Sequence, residues 1–248
     1  MTLLQVRGLA KRFGGIVATD ALDLDIAAGQ IHAIIGPNGA GKTTLISQLS
    51  GALRPDSGTI RLRGVDVTRK SAHERVRRGI ARSFQVTNLF RTLSAVDNVA
   101  LAVQAGDGSS FRFWRPVGTE SLLVPHALEL LTRVGLLDRA NIVAGRLAHG
   151  EQRQLEIALA LATRPTLLLL DEPMAGMGPD ESARMVELIA SLRGDVTIVL
   201  VEHDMDAVFR LANRISVLVY GRLLASGTAD AIRANDDVRR AYLGTETT

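Results

Sequence analysis

The chain has no cysteine among its 248 residues, which excludes a disulfide framework and any zinc site built on thiolates. It is also poor in lysine: Lys11, Lys42 and Lys70 are the only three, and the remainder of the 29 basic residues are arginine. No apolar run approaches the roughly 18 residues that a membrane-crossing helix requires. The opening MTLLQVRGLA has no basic segment followed by a long apolar core, so neither a span nor an export signal is expected. Repeats and low-complexity segments are lacking too. The formal charge is only +3, without a concentrated basic field, and nothing prompts nucleic-acid binding. What remains is a chain with 46% hydrophobic residues, ample for the core of one large α/β domain.

The most informative stretch is GPNGAGKTT, Gly36 to Thr44, directly after the apolar run IHAII. A glycine-rich turn between a strand and a helix curls the backbone so that successive N–H groups point inward, and the helix start adds its positive dipole end. Gly36, Gly41, Lys42 and Thr43 fit the GxxxxGK[ST] spacing, in which the lysine reaches the β- and γ-phosphates and the hydroxyl ligates Mg²⁺. A plain strand-to-helix turn needs neither Lys nor Thr after its last glycine. Lysine here, in a chain that otherwise favours arginine, supports the same reading, because a planar guanidinium cannot replace a compact ammonium inside such a loop. The loop is expected to bind a nucleoside triphosphate.

Around this loop the pattern is α/β. Leu3 to Gly29 reads as short strands of an antiparallel edge sheet, with Phe13 between them. The loop leads into a helix over TTLISQLSGAL, then a strand TIRLRGVDV, an arginine-rich helix SAHERVRRG and a strand IARSFQ ending at Gln85. Residues 86–146 change to apolar spacings of three and four, a mostly helical insert. Its AGDGSSFRFWRPVG segment carries an aromatic cluster, Phe111, Phe113 and Trp114, expected to pin a loop to its own helices. Two buried strands follow: TLLLLDEP ends in Asp171 and Glu172, and VTIVLVEHD ends in His203. In an open parallel sheet ligands gather at the carboxyl ends of strands, so these three residues should converge on the loop at Gly36. The tail reads as a hairpin turning at Gly221 and Arg222, then two helices.

Asp171 is a candidate to hold Mg²⁺ through water, and Glu172 a candidate base for water attacking the γ-phosphorus. A carboxylate pair at a strand end often only caps a helix; the buried run before it and the phosphate loop upstream argue otherwise. Gln85 is a candidate metal ligand and sensor, although glutamine at a strand end is commonly just a surface residue. His203 is a candidate donor to the γ-phosphate, against ordinary capping together with Asp204.

LAHGEQ, Leu147 to Gln152, lies about twenty residues before Asp171 at a helix start. With it, the chain resembles the ATP-binding cassette (ABC) ATPases, whose signature reads LSGGQ, over essentially its whole length. The resemblance implies one ABC ATPase domain over 1–248: a mostly parallel P-loop core with an antiparallel β subdomain and C-terminal tail in 1–85 and 147–248, and a helical subdomain in 86–146. It implies ATP and Mg²⁺ as ligands, with Phe13 stacking on adenine, unless Phe13 is core filler as aromatics between strands usually are. Gly36, Pro37, Asn38, Gly39, Ala40, Gly41, Lys42, Thr43 and Thr44 would hold phosphate, and Thr43, Gln85 and Asp171 the metal. Lys42, Gln85, Glu172 and His203 would serve catalysis. Leu147, Ala148, His149, Gly150, Glu151 and Gln152 would close over ATP held by a partner subunit, again placing a helix N-terminus against phosphate.

Two residues depart from the family pattern. Ala148 replaces the usual signature serine, so a hydroxyl contact is missing and the Gly150 backbone must carry more. Gly178 stands where many members have an aspartate that couples the two sites. Both favour a heterodimer with a different ATPase. Within the family, KRFGGIVATD, SFQVTNLF, AGMGP, VEHDM and AYLG look like ATPases of branched-chain (hydrophobic) amino acid importers. The resemblance then implies two permeases, indirectly a substrate-binding protein, and a peripheral position on the cytoplasmic face of the bacterial inner membrane. Alternatives are the ATPase of a lipopolysaccharide-extraction transporter, against which the aromatic insert speaks, and a soluble non-transport ABC ATPase, which would usually carry two cassettes, a coiled coil or zinc cysteines. An unrelated P-loop kinase or GTPase leaves LAHGEQ unexplained.

Overall fold

The computed structural model describes residues 1–83, 89–106 and 120–243. Gln85 and the aromatic cluster of Phe111, Phe113 and Trp114 lie outside the described residues. The chain divides into two compact units, one comprising Met1–Arg75, Leu169–Glu172 and Leu192–Thr248, the other Val76–Leu168 and Pro173–Ser191.

The first unit holds two sheets. Strands β1 (Thr2–Phe13), β2 (Ile16–Ala27), β4 (Ser57–Leu62) and β5 (Val65–Asp66) form an antiparallel sheet in the order β2-β1-β4-β5. The expected short strands prove to be two twelve-residue strands, paired from Thr2↔Ala27 to Phe13↔Ile16 with several bulges. The bulges explain the difference: each interrupts the period-two alternation that marks a strand in sequence. Where alternation is clean, Leu22, Leu24 and Ile26 are buried between exposed Asp23 and Asp25.

The second sheet is mainly parallel. Strands β3 (Ile31–Ile35), β8 (Thr197–Val201) and β9 (Arg214–Val219) run parallel, β10 (Arg222–Gly227) returns from β9 as an antiparallel hairpin, and β7 (Leu167–Asp171) contributes its last three residues. The order in this unit is β10-β9-β3-β8-β7. All residues of β3, β7 and β8 are buried, the reason their sequences are near-continuous apolar runs. Ala33 and Ile35 of β3, with Ile215 and Val217 of β9, form a core with Val208, Ile232 and Val238. Those last three come from α7 (Met205–Leu211), α8 (Ala229–Arg233) and α9 (Asp236–Val238), which continues as a π turn over Arg239–Leu243.

Helix α1 (Lys42–Ser50) follows β3, and α2 (Ala72–Arg77) begins where this unit's first segment ends. Arg75 of α2 is 1% exposed, although arginine is rarely buried without a carboxylate. Its guanidinium instead donates to the carbonyls of Gln48 (2.6 Å), Leu49 (2.8 Å), Thr68 (2.8 Å) and Lys70 (3.1 Å). Two of these are last-turn carbonyls of α1, which have no partner within the helix, and the positive charge meets the negative end of the dipole. Burial lowers the Arg75 pKa to about 10, partly opposed by the charge of Asp66.

The second unit contains β6 (Ile80–Arg82), α3 (Ala95–Gly106), α4 (Glu120–Arg133), α5 (His149–Ala162) and α6 (Pro179–Ser191), with 3₁₀ turns at Leu137–Arg139 and Ala144–Arg146. The spacing of three and four puts Ala95, Val99 and Val103 of α3, and Ala127, Leu130 and Leu131 of α4, inside. Buried Asn98 exchanges hydrogen bonds with the Phe90 backbone and donates to the Ser94 carbonyl, fixing the turn that enters α3. Among the described residues no helix is long and apolar enough to cross a membrane.

Candidate functional site

The phosphate loop leaves the carboxyl end of β3. Gly36 has φ 152° and Gly41 φ 100°. A Cβ at Gly36 would lie 2.1 Å from the Leu218 carbonyl oxygen, and one at Gly41 2.1 Å from that of Ala18. Glycine is therefore required twice over, by backbone conformation and by neighbouring backbone on the loop's outer side. The β9–β10 turn locks the same side: Gly221 N–H donates to Ala40 O at 3.0 Å and Asp20 N–H to Gly221 O at 2.9 Å. Arg222 pairs with Asp20 at 2.7 Å.

Gly41 caps α1 without a side-chain hydrogen bond, and the first turn has no acidic residue. Its backbone donors and dipole are thereby left to an external anion. Lys42 is 7% exposed, and its Nζ donates to the carbonyls of Gly36 (2.7 Å) and Pro37 (3.1 Å). Burial pulls its pKa down, opposed by the charges of Glu172 and Asp171. Thr43 is exposed at the helix start, while Asn38 and Gly39 face solvent.

The expected convergence occurs within this unit. Asp171, 2% exposed, ends β7. Glu172 follows in the left-handed region (φ 50°), held by its N–H to Val201 O at 2.9 Å. A bulky residue in that region stores strain of about 1 kcal/mol or more, a condition found where geometry serves a site. His203 Nε2 lies 3.6 Å from Glu172 Oε2, and the imidazole is 52% exposed. The competing capping role falls to Asp204 alone, which accepts from Ala207 N–H at 3.1 Å and starts α7.

Phe13 is 50% exposed at the end of β1, which rules out the core-filler alternative. Lys11 Nζ stands 5.5 Å from its ring centroid and is itself held by Asp56 at 2.6 Å. A ring presented in this way is available for stacking.

In the second unit, Leu147, Gly150 and Gln152 are buried and Ala148 and His149 are exposed. Gln152 Nε2 donates to Leu147 O at 2.8 Å. Ala148 is the N-cap of α5 but has no hydroxyl, so the cap rests on Glu151, whose Oε2 accepts from Ala148 N–H at 2.9 Å. Glu151 Oε1 accepts from Arg139 Nε at 2.9 Å. Burial pushes the Glu151 carboxyl up, yet the bonds from Arg139 and Ala148 and the charges of Arg139 and Arg184 outweigh it and hold the pKa below the usual value. His149 Nε2 is 3.2 Å from Ala175 O, and a Cβ at Gly150 would meet Glu181 Oε1 at 2.9 Å. The segment after Glu172 is thus tied to the start of α5. The hairpin turn expected at Gly221 and Arg222 is present between β9 and β10, but sequence reasoning missed its bonds to Ala40 and Asp20, and missed Arg139, Glu181 and Ala175 altogether. These act through contacts that no local spacing encodes.

Fit to a nucleoside triphosphate follows from a buried ammonium at the head of an uncapped helix, with no carboxylate at ion-pair distance among the described residues. Among the described residues no three His, Cys, Asp or Glu side chains converge as a metal cage. Thr43 and Asp171 instead fit Mg²⁺, which binds through one or two protein oxygens together with water and phosphate.

Comparison with known proteins agrees. The profile of the ABC transporter family matches residues 19–175, and that of the branched-chain amino acid ATP-binding cassette transporter matches 222–248. The chain is 41% identical to the high-affinity branched-chain amino acid transport ATP-binding protein BraF of Pseudomonas aeruginosa and 42% identical to LivG, of the same description, from Escherichia coli K12. Each alignment covers 98% of both chains. Among solved structures, the ADP conformation of an ATP-binding cassette from an ABC transporter superposes with a TM-score of 0.85 at 27% identity, covering 98% of this chain and 99% of that one. With a phosphate loop, strand-end carboxylates and a signature helix in one chain, and relatives matching from end to end, the chain belongs to the ATP-binding cassette family and is an ATPase of that type.

Proposed function

We propose that this ATPase powers a membrane permease importing branched-chain or other hydrophobic amino acids or related small organic molecules. The observation that carries the reading is the end-to-end match, 98% of each chain, to ATP-binding proteins of branched-chain amino acid transport. A separate ATPase with extra modules would leave part of one chain unmatched.

In this reading ATP lies with its phosphates in Gly36 to Thr44 and its adenine on Phe13. Lys42 exchanges its loop carbonyls for β- and γ-phosphate oxygens, and His203 donates to the γ-phosphate. Glu172 takes a proton from the water that attacks the γ-phosphorus, with His203 beside it to steady the carboxylate. Mg²⁺, held by Thr43, Asp171 and Gln85, would neutralise charge developing on the phosphates. Leu147 to Gln152 close over the nucleotide of a second ATPase, and that ATPase is a different chain, since Ala148 brings no hydroxyl and Gly178 no carboxylate. Residues 86–146 form the subdomain that docks on the permease, at the cytoplasmic face of the inner membrane.

The test is to tag the chain in its native cell, solubilise membranes gently, purify with ATP present and identify what accompanies it. Two permeases with a second, different ATPase are expected. Recovery without any membrane protein would overturn the transport reading and leave the ATPase assignment standing.

A further inference from the structure

The first unit has a second opening, where the amino ends of β3 and β9 meet β1, β2 and β10. This cavity of about 570 Å³ is within the size range of small-molecule sites. Its lining carries Arg7, Arg214, Asp23 and Asp25, with Ala27 and Leu223 supplying apolar surface. Arg7 and Asp25 satisfy each other through two bonds of 2.8 Å. Arg214 and Asp23 do not pair. Arg214 is aimed by Ser226, donating from Nε to its Oγ at 2.9 Å and from Nη2 to its carbonyl at 3.2 Å. Asp23 is fixed by Gly8 N–H, which donates to Oδ1 at 2.6 Å. Two opposite charges are thus each anchored by neutral groups and presented to one cavity, without a counter-charge among the described residues.

Behind Arg214 the anchoring continues into the core. Ser216 Oγ donates to Ser226 Oγ at 3.0 Å and lies 2.8 Å from Nε2 of fully buried His32, whose Nδ1 is 3.0 Å from the amide nitrogen of Gln30. Gln30 lines the same cavity. Side chains spaced so widely along the sequence, linked into one chain of bonds, stiffen the wall that presents the guanidinium.

We propose that this cavity binds a small aliphatic α-amino acid as its zwitterion, the carboxylate on Arg214, the ammonium on Asp23 and the side chain against Ala27 and Leu223. The class follows from the charges: a simple anion would leave Asp23 unanswered, a simple cation Arg214. Arg214 and Gln30 of the site lie at the amino ends of β9 and β3 and the phosphate loop at the carboxyl end of β3, and the lining shares no residue with the loop, so the two ligands do not compete.

L-leucine titrated calorimetrically into the full chain tests this. Saturable binding is expected, weakened at least about tenfold in Arg214→Gln and in Asp23→Asn, the latter keeping the bond to Gly8. Leucinamide, lacking the carboxylate, and 4-methylpentanoate, lacking the ammonium, should lose at least as much. Saturating ADP should leave the leucine affinity unchanged. Both altered residues are exposed, so the variants fold, which their far-UV spectra would verify. No saturable heat with leucine up to about 10 mM, equal affinity in both variants, or displacement by ADP would each overturn the proposal.

Discussion

Acidification should weaken this protein in a way that one side chain, His32, makes separable from its carboxylates. The ring is fully buried on β3, and burial, reinforced by the Arg214 charge, lowers its pKa from 6.5 to about 4. With the Gln30 amide nitrogen facing Nδ1, the neutral ring accepts there and donates from Nε2 to Ser216. A second proton would set two donors against each other. Between about pH 6.5 and 4 the unfolded chain takes up a proton that the folded chain refuses, so this stability is present above 6.5 and falls with falling pH. The full difference is about 3 kcal/mol, of which about 2 kcal/mol is lost between pH 7 and 5. The assay compares urea unfolding of the wild type and His32→Gln at both pH values, together with the NMR titration of the His32 ring. The wild type should lose about 2 kcal/mol more than the variant, because carboxylates elsewhere contribute equally to both. A ring titrating near 6.5, or identical pH dependence in the two proteins, would refute the reasoning.

Glu172→Gln should reduce ATP hydrolysis by about 100-fold or more while leaving ATP affinity nearly unchanged, since the amide cannot accept the proton of water. Hydrolysis at the wild-type rate would exclude Glu172 as the base. Gly41→Ala should cost about 2–4 kcal/mol in urea unfolding and weaken nucleotide binding, because the new methyl meets the Ala18 carbonyl; a cost under about 0.5 kcal/mol would show that the loop yields freely. Arg75→Met should cost about 3 kcal/mol by leaving buried carbonyls without donors, with Arg75→Lys recovering part, and equal stability of the two variants would contradict the role given to the guanidinium.

The phosphate loop was legible because its chemistry is local: four residues at fixed spacing and an apolar run before them. The strand-end residues Asp171, Glu172 and His203 were legible for a related reason, since buried parallel strands read as continuous apolar runs and their ends fall at one edge of the sheet. Phe13 stood between stacking and packing, and its exposure removes the packing alternative, which the sequence left open because alternation in β1 is broken by bulges. The His32–Ser216 bond joins residues 184 apart in sequence through the pairing of β3 with β9, and no periodicity reports that register. Arg75 misleads in the opposite direction. In an arginine-rich helix it reads as one more solvated charge, and only its carbonyl partners reveal a buried residue.

The division of the chain has a mechanical consequence. The phosphate loop belongs to an uninterrupted run, Met1–Arg75, whereas Asp171 and Glu172 reach the same unit on the excursion Leu169–Glu172, with chain of the second unit attached at both ends. The loop is thus built into a continuous frame, while the carboxylates ride on a short rung gripped from either side. Of the groups proposed to act on ATP, the carboxylates therefore sit where the chain enters from the other unit and returns to it within four residues, and Lys42 sits where it does neither.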